Sequence, residues 1–226
     1  MYEVKSKGSD PNQLNTLSTE KGETYILTLP DKSKVWLNAA SSLTYTAALM
    51  ERGVRRVKLT GEAYFEIFKD KAHPFVVESK EQQVEVLGTH FNINAYEDEF
   101  VVKTTLLEGS VKISNAGSRS SILKPGQQAV LSDRGIVLKN VEAEDAIDWK
   151  SGYFMFNNES LESGLKRIAR WYNVQIIYED ESLKGETFFG RISKFEKISK
   201  VFSMLERTDI VRFKIEGNKI FVRKKK

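Results

Sequence analysis

The residues of this chain that could do chemistry are two histidines and a few spaced carboxylates. His73 precedes Pro74 in a predicted turn, and His90 lies between Thr89 and Phe91 in a predicted strand. A metal site needs several nitrogen, oxygen or sulfur ligands at workable spacing, and the sequence has neither an HxH nor an HExxH motif. We therefore expect both histidines to have structural or surface roles, and we expect no metal and no cofactor.

Paired carboxylates are the other possible catalytic group, because they hydrolyse glycosidic bonds. Glu62 and Glu66 flank Tyr64 and could share one face of a strand. Positions i and i+4 of a strand lie about 13 Å apart, which exceeds the roughly 5–9.5 Å that glycosidases use. A hydrolase would therefore need a cross-strand carboxylate pair, and its turnover would be lost on substitution of Glu62 or Glu66.

Other catalytic and binding classes lack their motifs. The chain has no cysteine, no GxSxG, no GxGxxG and no GxxxxGK[ST], which argues against thiol, serine-hydrolase and phosphate-cradle chemistry. Acidic and basic residues are interleaved, and no RNP or KH motif is present, so we expect no nucleic acid partner. We expect a non-enzymatic protein.

Bulk composition fits a soluble surface with ordinary cores. The 226 residues are 40% hydrophobic and 29% charged, with a net charge of +4. No run of about 18 apolar residues and no signal peptide are visible. We expect no membrane insertion by this chain, and any membrane tether of a parent protein would lie outside it. The basic run at residues 223–226 is interpreted as a solvated terminus.

Hydrophobic periodicity divides the chain into four parts. Residues 1–20 are polar and are interpreted as a linker or arm. Residues 21–141 alternate apolar and polar residues in short segments, which predicts an all-β domain built as an antiparallel sandwich, barrel or short solenoid. Residues 142–151 form a charged connector, and residues 152–226 switch between strand and helix patterns.

The last part predicts a small α+β domain of order β-α-β-β-α-β-β. An apolar stripe from Leu161 to Tyr172 indicates the first helix, with Asn158 as its N-cap. Ser193 and Glu196 have the spacing of a capping box for the second helix. Gly217 suits a tight hairpin between the last two strands. We expect one small sheet with both helices on one face.

The all-β domain resembles the periplasmic region of FecR-type anti-sigma factors. Six phrases carry the resemblance in the family's order: LTLPDKSKVWLNAASSLTY (27–45), VKLTGEAYFEI (57–67), HPFVVES (73–79), VEVLGTHFNINAY (84–96), TTLLEGSVKI (104–113) and LKPGQQAVL (123–131). Residues 152–223 are similar to the secretin and TonB short N-terminal-like domain that follows the FecR domain in Bacteroidetes-type members.

The resemblance implies a role in signalling across the cell envelope. In such a protein a cytoplasmic segment, absent here, binds an extracytoplasmic-function sigma factor. A membrane helix then leads to a periplasmic region, which senses the N-terminal signalling domain of an outer-membrane TonB-dependent transporter. Gly61, Gly88 and Gly109 would be bends or bulges, and Lys32 departs from the glycine that members commonly have after Asp31.

The transporter-binding surface is predicted to be an edge strand of the α+β domain. Strand addition would use main-chain hydrogen bonds for affinity. The candidate edges are the segments 154–156 and 188–191, and the partner-binding residues are predicted to be Phe154, Phe156, Phe188, Phe189 and Arg191.

A carbohydrate-binding β module with an accessory domain is the alternative. The three tryptophans, Trp36, Trp149 and Trp171, are the residues that could stack on sugars, although packing at the edge of a core suits Trp36 and Trp171 better. This alternative predicts saturable glycan binding through exposed aromatic residues such as Tyr96 or Trp36.

Overall fold

The computed structural model describes residues 10–115 and 120–225. Residues up to Ile147 form one compact unit, and residues from Asp148 onward form a second. We call them the N-terminal unit and the C-terminal unit. Among the described residues, no helix has the length and apolar character needed to cross a membrane.

The described part of the N-terminal unit contains thirteen strands in one connected sheet. Their bounds are β1 Leu14–Ser18, β2 Tyr25–Thr28, β3 Lys34–Leu37, β4 Ser42–Glu51, β5 Val54–Glu66, β6 Phe75–Ser79, β7 Gln82–Val86, β8 His90–Ala95, β9 Val102–Glu108, β10 Val111–Asn115, β11 Ser121–Leu123, β12 Gln127–Ser132 and β13 Gly135–Asn140. The order along the sheet is β11-β10-β7-β6-β5-β8-β9-β12-β13, with β1 on β4 and β2 on β3.

The long strand β5 belongs to both layers of this sheet. Its first half pairs with β4 and β6, and its second half pairs with β3 and β8. Gly61 stands at the changeover with φ of +89°, and a Cβ there would lie 2.4 Å from the Ser41 Oγ. Only glycine fits such a close approach at positive φ, so the bend predicted at Gly61 is confirmed.

The two layers enclose one apolar core. The cluster takes buried side chains from both layers, including Leu43 and Ile113 from one and Leu37 and Phe91 from the other. Phe91 stacks on Phe65 at a centroid distance of 4.9 Å. The predicted mainly β fold is therefore confirmed as a sandwich, antiparallel except for the parallel pair β5–β6.

Strand β1 lies inside the segment that the sequence pattern assigned to an arm. Leu14–Ser18 pairs antiparallel with β4, and Leu17 packs against the core. The prediction of an arm through residue 20 is therefore wrong for these residues. Strand β1 is short and polar, and it is stabilised by pairing with the longer strand β4. The periodicity of β1 alone does not reveal this pairing. Residues 1–9 of the predicted arm lie outside the described residues.

The C-terminal unit has the predicted order of elements. After a 3₁₀ helix at Ala143–Ser151, where the sequence predicted a connector, its elements are β14 Tyr153–Ser160, α1 Leu161–Tyr172, β15 Gln175–Tyr178, β16 Thr187–Ser193, α2 Ile198–Glu206, β17 Val211–Glu216 and β18 Lys219–Lys224. The strands form two sheets, β14-β16 and β15-β18-β17. The expectation of a single sheet is wrong, because β14 pairs only with β16 among the described strands.

Both helix starts differ from the predicted caps. Ser160, and not Asn158, is the N-cap of α1, and its side chain accepts a hydrogen bond from the Ser163 amide. Helix α2 begins at Ile198 after Lys197, without a side-chain cap. The predicted capping box at Ser193 is therefore wrong, since β16 continues through that residue.

Candidate functional site

The two-stranded sheet β14–β16 has a buried face and an open face. Phe154, Phe156 and Phe188 are each at most 5% exposed and belong to the core of the C-terminal unit. Phe189 is 80% exposed, and Arg191, two residues further along the same face of β16, is also exposed. Strand alternation turns the three core phenylalanines inward, so only Phe189 and Arg191 offer their side chains on the open face. The prediction that these strands bind a partner through an edge stays a prediction.

The register of this sheet determines which main-chain groups point outward. The Lys194 amide donates to the Gly152 carbonyl at 2.9 Å, so this facing pair is hydrogen-bonded. Because bonded and non-bonded pairs alternate in an antiparallel ladder, the pairs of Phe189 with Asn157 and of Arg191 with Met155 are non-bonded. The amide and carbonyl groups of Phe189 and Arg191 therefore point away from β14, at the outer edge of β16.

The outer edge of β14 is partly occupied. Arg167 of α1 donates through its Nη2 to the Met155 carbonyl, which points away from β16. The same guanidinium pairs with Glu159 at 3.2 Å and lies over the Phe156 ring at 5.3 Å. A partner strand could not reach the Met155 carbonyl without displacing this side chain.

The edges of the other sheet are also less open than β16. On β17, the outward amide of Phe213 donates to the Glu206 carboxylate at 2.7 Å. Strand β15 has only four residues, and short edge strands offer few groups to a partner. Strand β16 has seven residues and contains neither proline nor lysine, the residues that most often protect an edge.

Arg191 has its own partners within the C-terminal unit. Its Nε and Nη2 each lie 2.9 Å from a carboxylate oxygen of Asp148, and its guanidinium stacks on the Tyr153 ring at 3.7 Å. Such a bidentate pair fixes the side chain in one geometry. The charge of Arg191 is therefore balanced, and Phe189 is the prominent apolar feature of the open face.

The end of β16 is anchored by a cluster that sequence reasoning did not predict. Lys194 is 5% exposed, donates to the Trp149 carbonyl at 2.9 Å and lies over the Trp171 ring at 4.0 Å. Tyr172 Oη lies 2.7 Å from the Glu196 carbonyl. Burial, with a smaller effect of Glu196, raises the pKa of Tyr172 to about 12. The sequence signals for this cluster are Trp149 in the connector and the adjacent Trp171 and Tyr172 at the end of α1.

In the N-terminal unit, the two glutamates considered for hydrolysis lie in a setting that fits structure better than catalysis. Glu62 is 4% exposed and accepts hydrogen bonds from the Asn38 and Asn92 amides at 2.8 and 3.0 Å. Its cross-strand neighbour is Asn94, and those of Glu66 are Lys34 and His90. The register therefore places no carboxylate opposite either glutamate.

Two further observations concern metal ligands and the aromatic residues of the carbohydrate alternative. Residues 10–115 and 120–225 contain no cluster of three or more side chains suited to a metal ion. Tyr96, which the carbohydrate alternative placed on the surface, is 4% exposed, and its hydroxyl donates to the Ala39 carbonyl at 2.7 Å. That side chain supports the strand end and is not available to stack on a sugar.

Comparison with known families agrees with this division of the chain. Residues 15–112 match the family model described as FecR protein, and residues 153–222 match the model described as FecR, C-terminal. The chain belongs to the FecR family of anti-sigma factors. The resemblance found in the sequence is thereby confirmed, and the fold class with it. This family is a regulatory one and is not a known enzyme class.

Solved structures similar to this FecR-family chain cover nearly all of it. They are crystal structures at 2.50 and 1.65 Å of "a putative anti-sigma factor from Parabacteroides distasonis ATCC 8503". Each superposes with a TM-score of 0.87 and 26% sequence identity, over 95% and 94% of this chain and 100% of the other. No curated protein matches the chain.

Proposed function

We propose that this chain is the periplasmic sensor region of a transmembrane anti-sigma factor. It relays a signal from an outer-membrane TonB-dependent transporter to an extracytoplasmic-function sigma factor. Membership of the FecR family supports the sigma factor as a general partner. The sigma factor is bound by a cytoplasmic segment outside this sequence, and the chain itself acts by protein–protein recognition without catalysis.

The outer edge of β16 is the observation that carries this proposal. The outward main-chain groups of Phe189 and Arg191 can extend the sheet with one strand of the transporter's signalling domain. Main-chain bonds supply affinity in such strand addition, and pockets or patches for alternate side chains supply specificity. Phe189, 80% exposed, provides an apolar contact on the open face beside the pairing edge.

Phe154, Phe156 and Phe188 act indirectly in this scheme. Their side chains lie in the core cluster together with Ile168 and Val222, so they hold the sheet in place from below. The bidentate pair of Arg191 with Asp148 orders the open face above. A strand prepared in this way loses little further conformational freedom when a partner binds.

Capture from the bacterial envelope tests the proposed function. The full 226-residue chain serves as bait for solubilised envelope proteins of the producing bacterium. We expect recovery of a TonB-dependent transporter, and we expect recovery to disappear when the transporter's N-terminal signalling domain is deleted. Equal recovery of the truncated transporter would exclude the relay, because the signalling domain would then contribute nothing.

Binding to glycans provides the matching test of the alternative. Retention of the chain on a glycan array, with no transporter in the captured fraction, would favour the carbohydrate-binding module. The buried position of Tyr96 leads us to expect no retention that depends on this residue. Variants at Trp36, the other residue that the alternative names, are tested for glycan binding in the same way. The Trp36 ring contacts the Tyr64 ring at a centroid distance of 5.4 Å.

A further inference from the structure

The positive charge of this chain is concentrated in its last twenty residues. Residues 207–226 contain eight lysines and arginines and two acidic residues. Residues 148–206 contain nine of each, and residues 1–147 contain eighteen basic and twenty acidic residues. Apart from the final hairpin β17–β18 and its flanks, both units are therefore nearly neutral or slightly acidic.

Strand alternation collects much of this charge on one face of the three-stranded sheet. Ile220 and Val222 are buried, and Phe213 stacks on Phe202 of α2 at 4.4 Å. The facing pairs on the opposite side are Arg212–Arg223, Lys214–Phe221 and Glu216–Lys219. We call this side, with Arg212, Lys214, Lys219, Phe221 and Arg223, the basic face.

Only part of the charge on the basic face is balanced. Lys214 pairs with Glu216 at 2.6 Å, and Arg212 pairs with Asp209 at 3.4 Å. Lys219 and Arg223 are exposed and form no ion pair with a described carboxylate. Arg212 and Arg223 are direct cross-strand neighbours, and like charges in that position destabilise a sheet. An external anionic surface would remove that penalty.

We propose that the basic face rests on the anionic phospholipid headgroups of a membrane. A sheet face is flat, and its cations stand on long side chains over two strands, which suits a spread of negative charge. Its edge β17 is closed to strand addition by Glu206, so a protein strand fits this side less well. Phe221 is half-buried and is paired in register with Lys214 on one side and Ile177 on the other. In this proposal Phe221 remains in the sheet, and no element enters the bilayer.

This inference changes the interpretation of the C-terminal basic run. The sequence predicted a solvated terminus from residue 223, but Arg223 and Lys224 are part of β18. Their backbone is held by the ladder to β17, so Arg223 is displayed at a fixed place on the basic face. The inference does not depend on the transporter relay, since it concerns a different sheet and a different type of partner.

Sedimentation of the full chain with lipid vesicles tests the proposal. The vesicles contain phosphatidylglycerol and phosphatidylethanolamine in equal parts, and vesicles of phosphatidylcholine alone serve as the neutral reference. Each basic residue near an anionic surface contributes about a fivefold factor in binding. We therefore expect the triple variant Lys214→Gln, Lys219→Gln and Arg223→Gln to bind roughly 100-fold more weakly at low salt.

A matched variant separates the basic face from net charge. Lys184→Gln, Lys197→Gln and Lys200→Gln remove the same charge from a second 3₁₀ helix, Glu181–Gly185, and from the start of α2. These positions lie outside the basic face, and we expect vesicle binding to change by less than about threefold. Thermal unfolding of both variants checks that they fold.

Three outcomes would overturn the proposal. They are equal binding to charged and neutral vesicles, equal losses in the two triple variants, and loss of transporter capture in the basic-face variant without any vesicle binding by the parent chain. The last outcome would assign the basic face to an acidic protein partner.

Discussion

The guanidinium of Arg167 on α1 binds the carbonyl of Met155 on β14, and this contact makes the two edges of the β14–β16 sheet unequal. The Met155 carbonyl points outward because its facing pair with Arg191 is non-bonded. Within residues 10–115 and 120–225, no helix side chain bonds the corresponding outward groups of Phe189 and Arg191 on β16. The proposed partner strand therefore has one preferred side of the sheet to join.

The first prediction concerns the contribution of Arg55 to the stability of the fold. Its guanidinium is 2% exposed, lies 2.7 Å from Asp31 and donates to the carbonyls of Phe68 and His73 at 3.0 and 2.9 Å. Removing one partner of a buried pair leaves the other charge unpaired. We expect Arg55→Ala to lower the free energy of unfolding by about 3–5 kcal/mol, measured by urea denaturation.

The neighbouring Arg56 is the control for this prediction. It pairs with Glu51 and Glu78, and its side chain is about one-third exposed. Surface ion pairs contribute about 0–1 kcal/mol, so Arg56→Ala should have a correspondingly small effect. Similar losses for the two alanine variants would contradict the role assigned to the Arg55–Asp31 pair.

Glu62 tests whether a buried carboxylate in this family is structural. Asn38 and Asn92 both donate to it, and Asn38 Oδ1 also accepts from the Ala39 amide at 2.9 Å. A glutamine at position 62 would place an NH₂ donor against one of these donors, and Asn38 cannot flip without losing its second bond. We expect Glu62→Gln to cost about 1–3 kcal/mol of stability, by thermal or urea unfolding.

Transporter binding supplies the second measurement on Glu62. We expect the folded Glu62→Gln variant to bind the signalling domain as the parent chain does, because the network lies in the N-terminal unit. Glu85→Gln, which removes an exposed pair with Lys112 at 3.5 Å, should be nearly neutral in stability. A stable Glu62→Gln chain that no longer binds its partner would assign this network a signalling role.

Lys32 occupies a backbone conformation that suits glycine. Its φ is +72°, in a turn closed by the hydrogen bond from the Leu29 amide to the Ser33 carbonyl at 2.8 Å. A non-glycine residue there costs about 1–2 kcal/mol, partly offset by the greater freedom of glycine in the unfolded chain. We expect Lys32→Gly to stabilise the fold by roughly 0.5–1 kcal/mol.

The strand residue Lys34 provides the opposite case. It is exposed and paired in β3, and it is absent from the residues with positive φ. Glycine within a strand is destabilising by about 0.5–1 kcal/mol, so Lys34→Gly should lower the unfolding midpoint while Lys32→Gly raises it. Two changes of the same sign would show that the turn is not strained.

Most of the architecture was predictable from the sequence, because it rests on periodicity. The order of elements in the C-terminal unit and the hairpin glycine Gly217, with φ of +59°, follow from local pattern. Which phenylalanine faces the core could not be predicted from local pattern, because Phe188 and Phe189 are adjacent and chemically identical. Which of them is buried depends on the register with β14, including a bulge between Asn157 and Glu159.

Contacts between distant elements were beyond prediction for a similar reason. Arg167 lies on the polar side of a helix stripe, and Asp148 lies in a charged connector, so neither stands out in sequence. Their roles arise from pairing with Met155 and Arg191 across the fold. Lys32 departs from the glycine that family members commonly have, but its positive φ is evident only when the turn is closed.

The raised pKa of Tyr172 leads to a prediction of how the stability of the fold responds to alkaline pH. Its pKa is raised by burial and by Glu196 to about 12 from the ordinary tyrosine value of 10.0. The phenol is therefore neutral in the fold when it would ionise in the unfolded chain. Its contribution is fully present below about pH 10 and is lost as pH rises through about 12.

Substitution isolates this contribution. We expect Tyr172→Phe to reduce the loss of stability between about pH 10 and 12, although it also removes the contact to the Glu196 carbonyl. The chain has eight tyrosines, so the difference in tyrosinate absorbance between the folded parent and Tyr172→Phe chains gives the ionisation of Tyr172. A parent chain and a Tyr172→Phe variant with parallel stability curves through this range would contradict the prediction.

The affinity of the transporter's signalling domain for two proline variants tests the central claim most directly. Phe189→Pro removes an outward amide of β16, and Ile215→Pro removes an outward amide of β17, in both cases without breaking the ladder inside the sheet. Titration calorimetry would use the signalling domain recovered by envelope capture. We expect at least a tenfold loss of affinity for Phe189→Pro and parent-like affinity for Ile215→Pro. Unchanged binding by a folded Phe189→Pro chain would contradict the assignment of β16 as the pairing edge.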